Sequence, residues 1–346
     1  VIRLYAYNSG SAKGYYKNVS LKEVTRDNVP RIDYTGGGCP HILAEPQRTN
    51  ILTYSEDFSS WITSGVTLTP NYGISPDGTQ NSTRLVYSAG SKVIYKYSLH
   101  SANTETNSIY VKGVSGETIK FGKGTTVNAG DIFTLSGDWQ RIEYVSTTGN
   151  QISISTYSGA TARDIQIWGV QIEVGSYPTS YIPTSGATVT RNQDVFTRDG
   201  IGSLINSTEG VLFVEMAALS DDLTYKMISL SDGSTTNRIS VIFNNTSSNT
   251  IRVVIVNYSV SFDETYTVTS ILDFNKIAVK YKENDFALWI NGTEVAIDTS
   301  GAVPINLNKL SFDIGNGTYH FFGKVNQLQV YPSALSDSEL TSLTTL

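Results

Sequence analysis

The strongest constraint on the fold is a long series of short segments in which apolar and polar residues alternate. They begin near Thr49 and include "STRLVYS", "SKVIYKYS", "NSIYVKG", "TIKFGKG", "QRIEYVST", "QISISTYS" and "RDIQIWGVQIE". Turn sequences such as Pro76-Asp77-Gly78 separate them. This alternation indicates β-strands, because successive side chains of a strand point to opposite faces. Many short strands separated by turns predict an antiparallel β-sandwich or jelly roll.

A second strand-rich block begins near residue 187 and runs to residue 346. Both faces of "TIRVVIVNYS" are apolar, which predicts a central strand in a sheet. A helix is predicted in "SALSDSELTSL", where Ser336 and Glu339 form a capping box and Leu340 and Leu343 form the buried side. The predicted fold class is therefore all-β, with two antiparallel β-sandwich (jelly-roll) domains in tandem and a short C-terminal helix.

Residues 1–48 lack this regular alternation. They contain three prolines and the run Gly36–Gly38, which mark turns between short extended pieces. We interpret the segment as an extended strap that lies across another element, such as a partner chain. The predicted organisation is thus a strap at 1–48, a first jelly roll at 49–186 and a second sandwich at 187–346.

Composition narrows the classes of function. The net charge is −6, the pI is about 5.2 and no basic run occurs, so the sequence predicts no nucleic-acid partner. No apolar segment is long enough to predict membrane insertion. The single cysteine, Cys39, excludes an internal disulfide and a thiolate zinc site. The 21 tyrosines suit glycan-binding and protein-binding surfaces, and they are also common in ordinary β-sheets.

The stretch "VKYKENDFALWINGTEVAID" predicts a β-hairpin. Asn291-Gly292 is the pair that a two-residue type I′ turn prefers, because both central residues need positive φ. Trp289 lies on the strand face opposite to the apolar stripe of Phe286, Leu288 and Ile290. Trp289, with Asn291 beside it, is therefore a candidate sugar contact. Packing of Trp289 against another element is the alternative, and the sequence leaves both open.

Three tyrosines of the first sandwich are further candidates. Tyr95 and Tyr97 share one strand face, and Tyr110 is a candidate neighbour. A sugar stacks its C–H face on an aromatic ring, while amides and carboxylates bind its hydroxyls. These tyrosines form such a platform or line the edge of the core, and the sequence does not distinguish the two.

Several stretches resemble known families. "PRIDYTGG" and "EPQRTNILTYSEDFSSW" resemble the start of carbohydrate-binding-module-like domains in bacteriophage tail-fibre and tailspike proteins. "IQIWGVQIEVGSYPTSYIPTSGATVTRNQD" resembles the closing strand and exit linker of those domains. The second block is similar to the concanavalin A-like lectin (laminin G-like) fold through "FALWINGTEV" and "HFFGKVNQLQVYPSALSDSEL". Together the resemblances cover nearly all of residues 30–346.

These resemblances imply binding rather than catalysis. They imply a non-catalytic segment of a phage tail fibre or tailspike, located in the virion, that recognises bacterial surface or extracellular polysaccharide. The implied protein partners are other virion tail proteins and further copies of the chain in a homotrimer. The alternatives are a secreted bacterial polysaccharide-binding module of a degrading enzyme, a purely structural fibre spacer, and a polysaccharide lyase or hydrolase. A fold alone does not decide among them.

The resemblance also implies one cofactor. The resembled modules often hold a structural calcium ion between their opening loop and closing strand. Glu56, Asp57 and Asp164 are the acidic residues at the matching places. Calcium takes about six to eight oxygen ligands, which three carboxylates and backbone carbonyls can supply. The alternative is that Asp57 is a turn residue and Asp164 a charge at a strand edge.

The sequence shows no clear catalytic constellation. Glycoside hydrolysis needs two carboxylates flanking one bond, but the adjacent Asp263 and Glu264 point to opposite faces of a strand. Glu294 and Asp298 follow a hairpin turn in a polar segment that is typical of a solvated face. His320 has no spacing that ties it to an arginine, so it is a weak candidate for a base. The sequence therefore predicts no enzyme.

Overall fold

The computed structural model describes residues 30–34, 39–98, 103–243 and 246–346. The described chain is all-β, as predicted, and forms two sandwiches of antiparallel sheets. Its first strands are β1 (Arg31–Asp33), β2 (His41–Ala44), β3 (Arg48–Asn50), β4 (Ile62–Ser64), β5 (Val66–Ile74), β6 (Gln80–Tyr87), β7 (Val93–Tyr97), β8 (Glu105–Lys112), β9 (Thr118–Gly124), β10 (Asp131–Thr134), β11 (Gln140–Ser146), β12 (Gln151–Ser155), β13 (Arg163–Val174) and β14 (Val189–Arg191).

The later strands are β15 (Thr197–Arg198), β16 (Glu209–Ala218), β17 (Lys226–Ser231), β18 (Asn237–Phe243), β19 (Thr250–Asn257), β20 (Ser259–Thr267), β21 (Asn275–Lys282), β22 (Phe286–Ile290), β23 (Thr293–Asp298), β24 (Lys309–Ser311) and β25 (Gly323–Tyr331). A 3₁₀ helix covers Gly202–Leu204, and helix α1 covers Asp337–Thr344. Neither of these helices, the two in the described ranges, has the length and apolar character of a membrane span.

The first sandwich consists of two five-stranded sheets. Sheet I has the strand order β10-β9-β12-β7-β4, and sheet II has the order β11-β8-β13-β6-β5. Alternate side chains of most strands face inward, as the sequence pattern predicts, and they form one apolar core. Its members include Ile94, Phe121 and Ile154 from sheet I, and Leu85, Ile109 and Ile167 from sheet II.

A buried ion pair joins the two sheets of the first sandwich. Glu105 begins β8 in sheet II, and Lys123 lies in β9 of sheet I. Lys123 Nζ is 2.6 Å from Glu105 Oε2, and neither side chain is exposed. Burying two charges is costly, and only close pairing offsets the lost hydration. The sandwich is therefore sensitive to a change in either side chain.

The second sandwich consists of a seven-stranded and a six-stranded sheet. Sheet III has the order β1-β2-β25-β16-β21-β22-β23, and sheet IV has the order β15-β24-β17-β18-β19-β20. The core between them includes Leu212, Val279 and Leu288 from sheet III, and Ile228, Val241 and Val253 from sheet IV. Strand β19 pairs with both β18 and β20, so its predicted place inside a sheet is confirmed.

The described part of the N-terminal segment lies in the second sandwich. Strand β1 pairs with β2, and β2 pairs with β25, so they form one edge of sheet III. The sequence predicts a strap that lies across another element, such as a partner chain. In the described residues, β2 of this segment pairs with β25, a strand of the same chain. The rest of that segment, residues 1–29 and 35–38, lies outside the described residues.

A largely buried polar cluster connects the two sandwiches. Arg31 of β1 donates from Nε to Asp194 Oδ1 at 3.1 Å, and its guanidinium also contacts Glu45. Arg191 of β14 lies 2.8 Å from Glu45 Oε2, and the Ser180 amide donates to Glu45 Oε1 at 2.7 Å. The cluster thus joins the edge of sheet III to the segment by which the chain leaves the first sandwich.

Two local predictions in the second sandwich are confirmed. Ile290 pairs with Thr293 across the predicted two-residue turn. Its central residues, Asn291 and Gly292, have positive φ angles of 50° and 83°. Helix α1 begins with the predicted capping box between Ser336 and Glu339.

Candidate functional site

A polar cleft opens where the chain enters and leaves the first sandwich. Its volume is about 310 Å³. The loop before β4, strands β5 and β6, and the segment after β13 form its walls. The residues that line it are Tyr54, Glu56, Asp57, Asn71, Asn81, Pro183, Thr184 and Ser185.

Pairing between the incoming and outgoing segments builds one wall of the cleft. Strand β3 pairs with β14, and Tyr54 forms an isolated antiparallel bridge with Ser185. The Thr184 amide donates to Ser55 Oγ at 2.9 Å, and the Gly186 amide donates to the backbone of the opposite segment at 2.8 Å. These bonds hold together two loops that are far apart in the sequence.

Glu56 lies at the polar centre of the cleft. Tyr181 Oη donates to Glu56 Oε1 at 2.8 Å, and Asn81 Nδ2 donates to Glu56 Oε2 at 3.0 Å. Asn81 Oδ1 is buried and has no hydrogen-bond partner among the described residues. This oxygen is closed off from solvent, so the groups that Glu56 and Asn81 offer a ligand are the carboxylate oxygens and the amide nitrogen.

Two further carboxylates lie at the cleft. Asp57 lines it, and Asp77 Oδ2 accepts from Asn81 Nδ2 at 3.4 Å. Hydrogen bonds from Ser59 lower the pKa of Asp57. Hydrogen bonds, the largest from Ser75, lower the pKa of Asp77. Both groups are therefore ionised at neutral pH, because these bonds favour the charged form.

Aromatic rings border the cleft. Tyr54 stands at its wall and is 41% exposed. Behind Glu56, Tyr181 packs against Trp168 with ring centroids 4.5 Å apart, and Trp168 packs against Tyr110 at 5.5 Å. Burial raises the pKa of the Tyr181 phenol, which keeps its proton for the hydrogen bond to Glu56. Tyr54 is thus the ring that offers a ligand an open face.

Taken together, the lining offers both kinds of contact that a sugar needs. The Tyr54 ring supplies an apolar surface for the C–H face of a pyranose. The carboxylates of Glu56 and Asp57 accept hydrogen bonds from hydroxyls, and the exposed amide of Asn71 can donate and accept. This mixture of a few polar groups with an aromatic face is typical of carbohydrate recognition.

Trp289 and Asn291 do not lie on an open surface. The stripe of Phe286, Leu288 and Ile290 faces the main core, so Trp289 points to the outer face of sheet III, where helix α1 covers it. Trp289 is only 7% exposed, and the amide of Asn291 bonds to the backbone and side chain of neighbouring β-strand residues. This burial argues against the predicted sugar contact, because neither face of the indole is free.

The three candidate tyrosines do not form one platform. Tyr95 and Tyr97 lie on β7 in sheet I, with ring centroids 5.7 Å apart, and Tyr97 is exposed. Tyr110 lies on β8 in sheet II, between Trp168 and the guanidinium of Arg141. The sequence pattern gives the face of each residue within its own strand, but not the sheet to which that strand belongs.

The three candidate calcium ligands are separated as well. Glu56 and Asp57 line the cleft, whereas Asp164 on β13 accepts a hydrogen bond from Arg84 Nε at 2.8 Å. Among the described residues, no three histidine, cysteine or acidic side chains converge on a point where they could hold a metal ion. This donor set does not fit calcium, because the Asp164 carboxylate is neutralised by Arg84 and lies outside the cleft lining.

The carboxylates considered for catalysis are placed as follows. Asp263 pairs with Arg252 at an Nε to Oδ1 distance of 2.7 Å. Glu264 is the next residue of the same strand and points to the other face. Glu294 and Asp298 lie on β23, the last strand at one edge of sheet III.

The sequence does not identify several residues of the cleft. Tyr54 precedes Glu56 by two positions, within the stretch that carries the family resemblance, so proximity in sequence is a usable signal. Asn71 and Asn81 come from β5 and the start of β6, and Ser185 comes from the exit segment. No local pattern connects these three to Tyr54, because the fold alone brings them together.

Comparison with known proteins supports the fold of the second sandwich. Residues 212–341 match the family model of the Concanavalin A-like lectin/glucanases superfamily. The match covers less than half of the chain and agrees with the resemblance seen in its strands and helix. A search of curated proteins found no match.

Solved structures with detectable similarity include carbohydrate-binding modules and laminin domains. The Ruminococcus gnavus IT-sialidase CBM40 is 18% identical, with a TM-score of 0.36 over 42% of this chain and 86% of that chain. The N-terminal CBM22-1-CBM22-2 tandem domain from Paenibacillus barcinonensis Xyn10C is 12% identical, with a TM-score of 0.28 over 82% of this chain and 98% of that chain. Domains LG4-5 of the mouse laminin alpha1 chain are 10% identical, with a TM-score of 0.27 over 90% of this chain and 96% of that chain. At these TM-scores the similarities carry no argument about function.

Proposed function

We propose that this chain binds glycans without cleaving them, and that the cleft at Tyr54 and Glu56 is its binding site. The observation that carries the proposal is the lining of one open cleft by an exposed aromatic ring, carboxylates and amides. A sugar presents an apolar C–H face and several hydroxyls, and this lining complements both. The pairing of Asp263 with Arg252 supports the non-catalytic part of the proposal, because it occupies one of the candidate carboxylates.

At a finer level, we propose that the chain is a receptor-recognition segment of a phage tail fibre or tailspike in the virion. The support is the resemblance of residues 30–194 to modules of such proteins. Its proposed partners are bacterial surface or extracellular polysaccharide, other tail proteins and further copies of the chain in a homotrimer. A secreted bacterial binding module is the alternative. The neighbouring genes distinguish the two, since virion genes would flank a tail-fibre gene.

Replacing Tyr54 is the direct test of the cleft. Tyr54→Ala is expected to weaken glycan binding roughly tenfold or more, because a central aromatic contact carries much of the energy of a binding site. The purified chain is first titrated against a panel of polysaccharides, with calcium and with chelator. The best ligand is then measured calorimetrically with the variant.

Tyr266→Ala is the matched control, since Tyr266 is 39% exposed in β20 of the second sandwich. It is expected to bind like the wild type. Tyr97→Ala tests the alternative surface on sheet I. Loss of binding in Tyr97→Ala with full binding in Tyr54→Ala would show that the cleft is not the site. Binding to no polysaccharide would favour a structural spacer, and release of reducing ends or unsaturated sugar would show an enzyme.

A further inference from the structure

The charges around the cleft point to the class of glycan that it takes. Glu56 and Asp57 line the cleft, and Asp77 contacts it through Asn81. Lysine and arginine are absent from the described residues that line it. The cation that acts on Asp57 is Lys96, whose ammonium donates to Ser60 Oγ at 2.7 Å. The cleft therefore presents negative charge to a ligand.

Resting on the proposed function, we infer that the cleft selects glycans that carry a free, protonated amine over N-acetylated ones, and that it rejects glycans bearing carboxylate or sulfate groups. An ammonium group has three donors and no acceptor. It therefore suits a site whose charged lining groups, Glu56 and Asp57, are both carboxylates. Hydrogen bonds between an ammonium and a carboxylate are stronger than those between neutral groups.

The available lone pairs support this inference. Each oxygen of Glu56 accepts one hydrogen bond, from Tyr181 or from Asn81, and a carboxylate oxygen can accept a second. Asp57 Oδ1 accepts from the Ser59 amide at 2.8 Å, and Asp57 is exposed toward the cleft. The acceptors of the cleft are thus only partly satisfied, and a ligand rich in donors completes them.

The orientation of Asn81 is consistent with charged carboxylates at the cleft. Its Nδ2 group donates to both Glu56 and Asp77, so it presents a donor to each of them. A ligand carboxylate or sulfate would add negative charge beside like charges.

Matched oligosaccharides test the inference. A chito-oligosaccharide with free amines and its fully N-acetylated counterpart share one backbone and differ only at nitrogen. Calorimetry is carried out at a pH at which the amine is protonated, with an oligogalacturonate as the acidic probe. The free-amine form is expected to bind about fivefold to tenfold more tightly than the acetylated form, as one or two charge pairs near the surface would give. The oligogalacturonate is expected not to bind.

Variants assign this preference to the carboxylates. Asp57→Asn and Glu56→Gln are each expected to reduce the ratio of the two affinities, whereas Asp138→Asn, in an exposed turn before β11, is expected to leave it unchanged. Equal or tighter binding of the acetylated or acidic sugar, abolished by Tyr54→Ala, would overturn the inference and leave the proposed function standing. If none of these sugars nor any polysaccharide of the panel binds, the proposed function itself is wrong.

Discussion

Glu105→Gln is expected to lower the free energy of unfolding by about 3–5 kcal/mol. The change removes the carboxylate that lies 2.6 Å from Lys123 Nζ, where neither side chain is exposed. A buried ammonium that loses this carboxylate loses an attraction that offsets its cost of dehydration. Chemical denaturation of the wild type and the variant, followed by tryptophan fluorescence, measures the difference.

Two further variants separate the charge from the shape of the side chains. The double variant Glu105→Leu, Lys123→Met is expected to recover much of the loss, since an apolar pair of similar volume has no charge to bury. Asp164→Asn breaks the ion pair between Arg84 and Asp164, whose side chains are 33% and 51% exposed, respectively. Because this pair is partly exposed, the variant is expected to change stability little. Equal effects of Glu105→Gln and Asp164→Asn would show that burial of the pair is unimportant.

The sequence predicts those parts of the fold that depend on neighbouring residues. Alternation gives the strands and their inward faces because it acts over a few positions. Asn291-Gly292 predicts its turn because positive φ is needed at those two residues alone. The capping box of Ser336 and Glu339 is equally local. In each case the physical cause lies within the motif itself.

Pairings between distant segments are not predictable in this way. The place of β2, second from the edge of sheet III, depends on β25, which lies near the other end of the chain. The separation of Tyr95 from Tyr110 depends on which sheet each strand joins. Period-two patterning is the same in both sheets, so it contains no information about sheet membership.

The candidate site shows the same limit. Its carboxylates Glu56 and Asp57 are identifiable in the sequence only through the family resemblance, which assigns them to a calcium ion rather than to a sugar. Asn81 and Ser185 complete the cleft only because the incoming and outgoing segments pair. The calcium prediction reflects this gap. It groups Asp164 with the two carboxylates by position in a family pattern, while the structure pairs Asp164 with Arg84.

Trp289→Ala is expected to lower the free energy of unfolding by about 3–5 kcal/mol, the usual cost of removing a large buried aromatic side chain. Trp289 packs with Val211, Phe213, Ala278 and Leu340, so its loss leaves a cavity between sheet III and helix α1. Thermal and urea unfolding of the variant measure the loss. Leu340→Ala removes the helix side of the same contact, and its effect is expected to be less than additive with that of Trp289→Ala.

This outcome also decides what the tryptophan does. Strand periodicity places Trp289 on the face opposite to Phe286, Leu288 and Ile290 but does not say whether that face is open, and the covering element is a helix some fifty positions further along the chain. Trp139→Ala is the control. Because the Trp139 ring is partly exposed, its removal is expected to lower the free energy of unfolding less than the removal of Trp289. An unchanged melting temperature together with weakened glycan binding would place a sugar on Trp289 and contradict the packing role. A large loss of stability, with the binding of the remaining folded protein intact, would leave the cleft at Tyr54 as the glycan site.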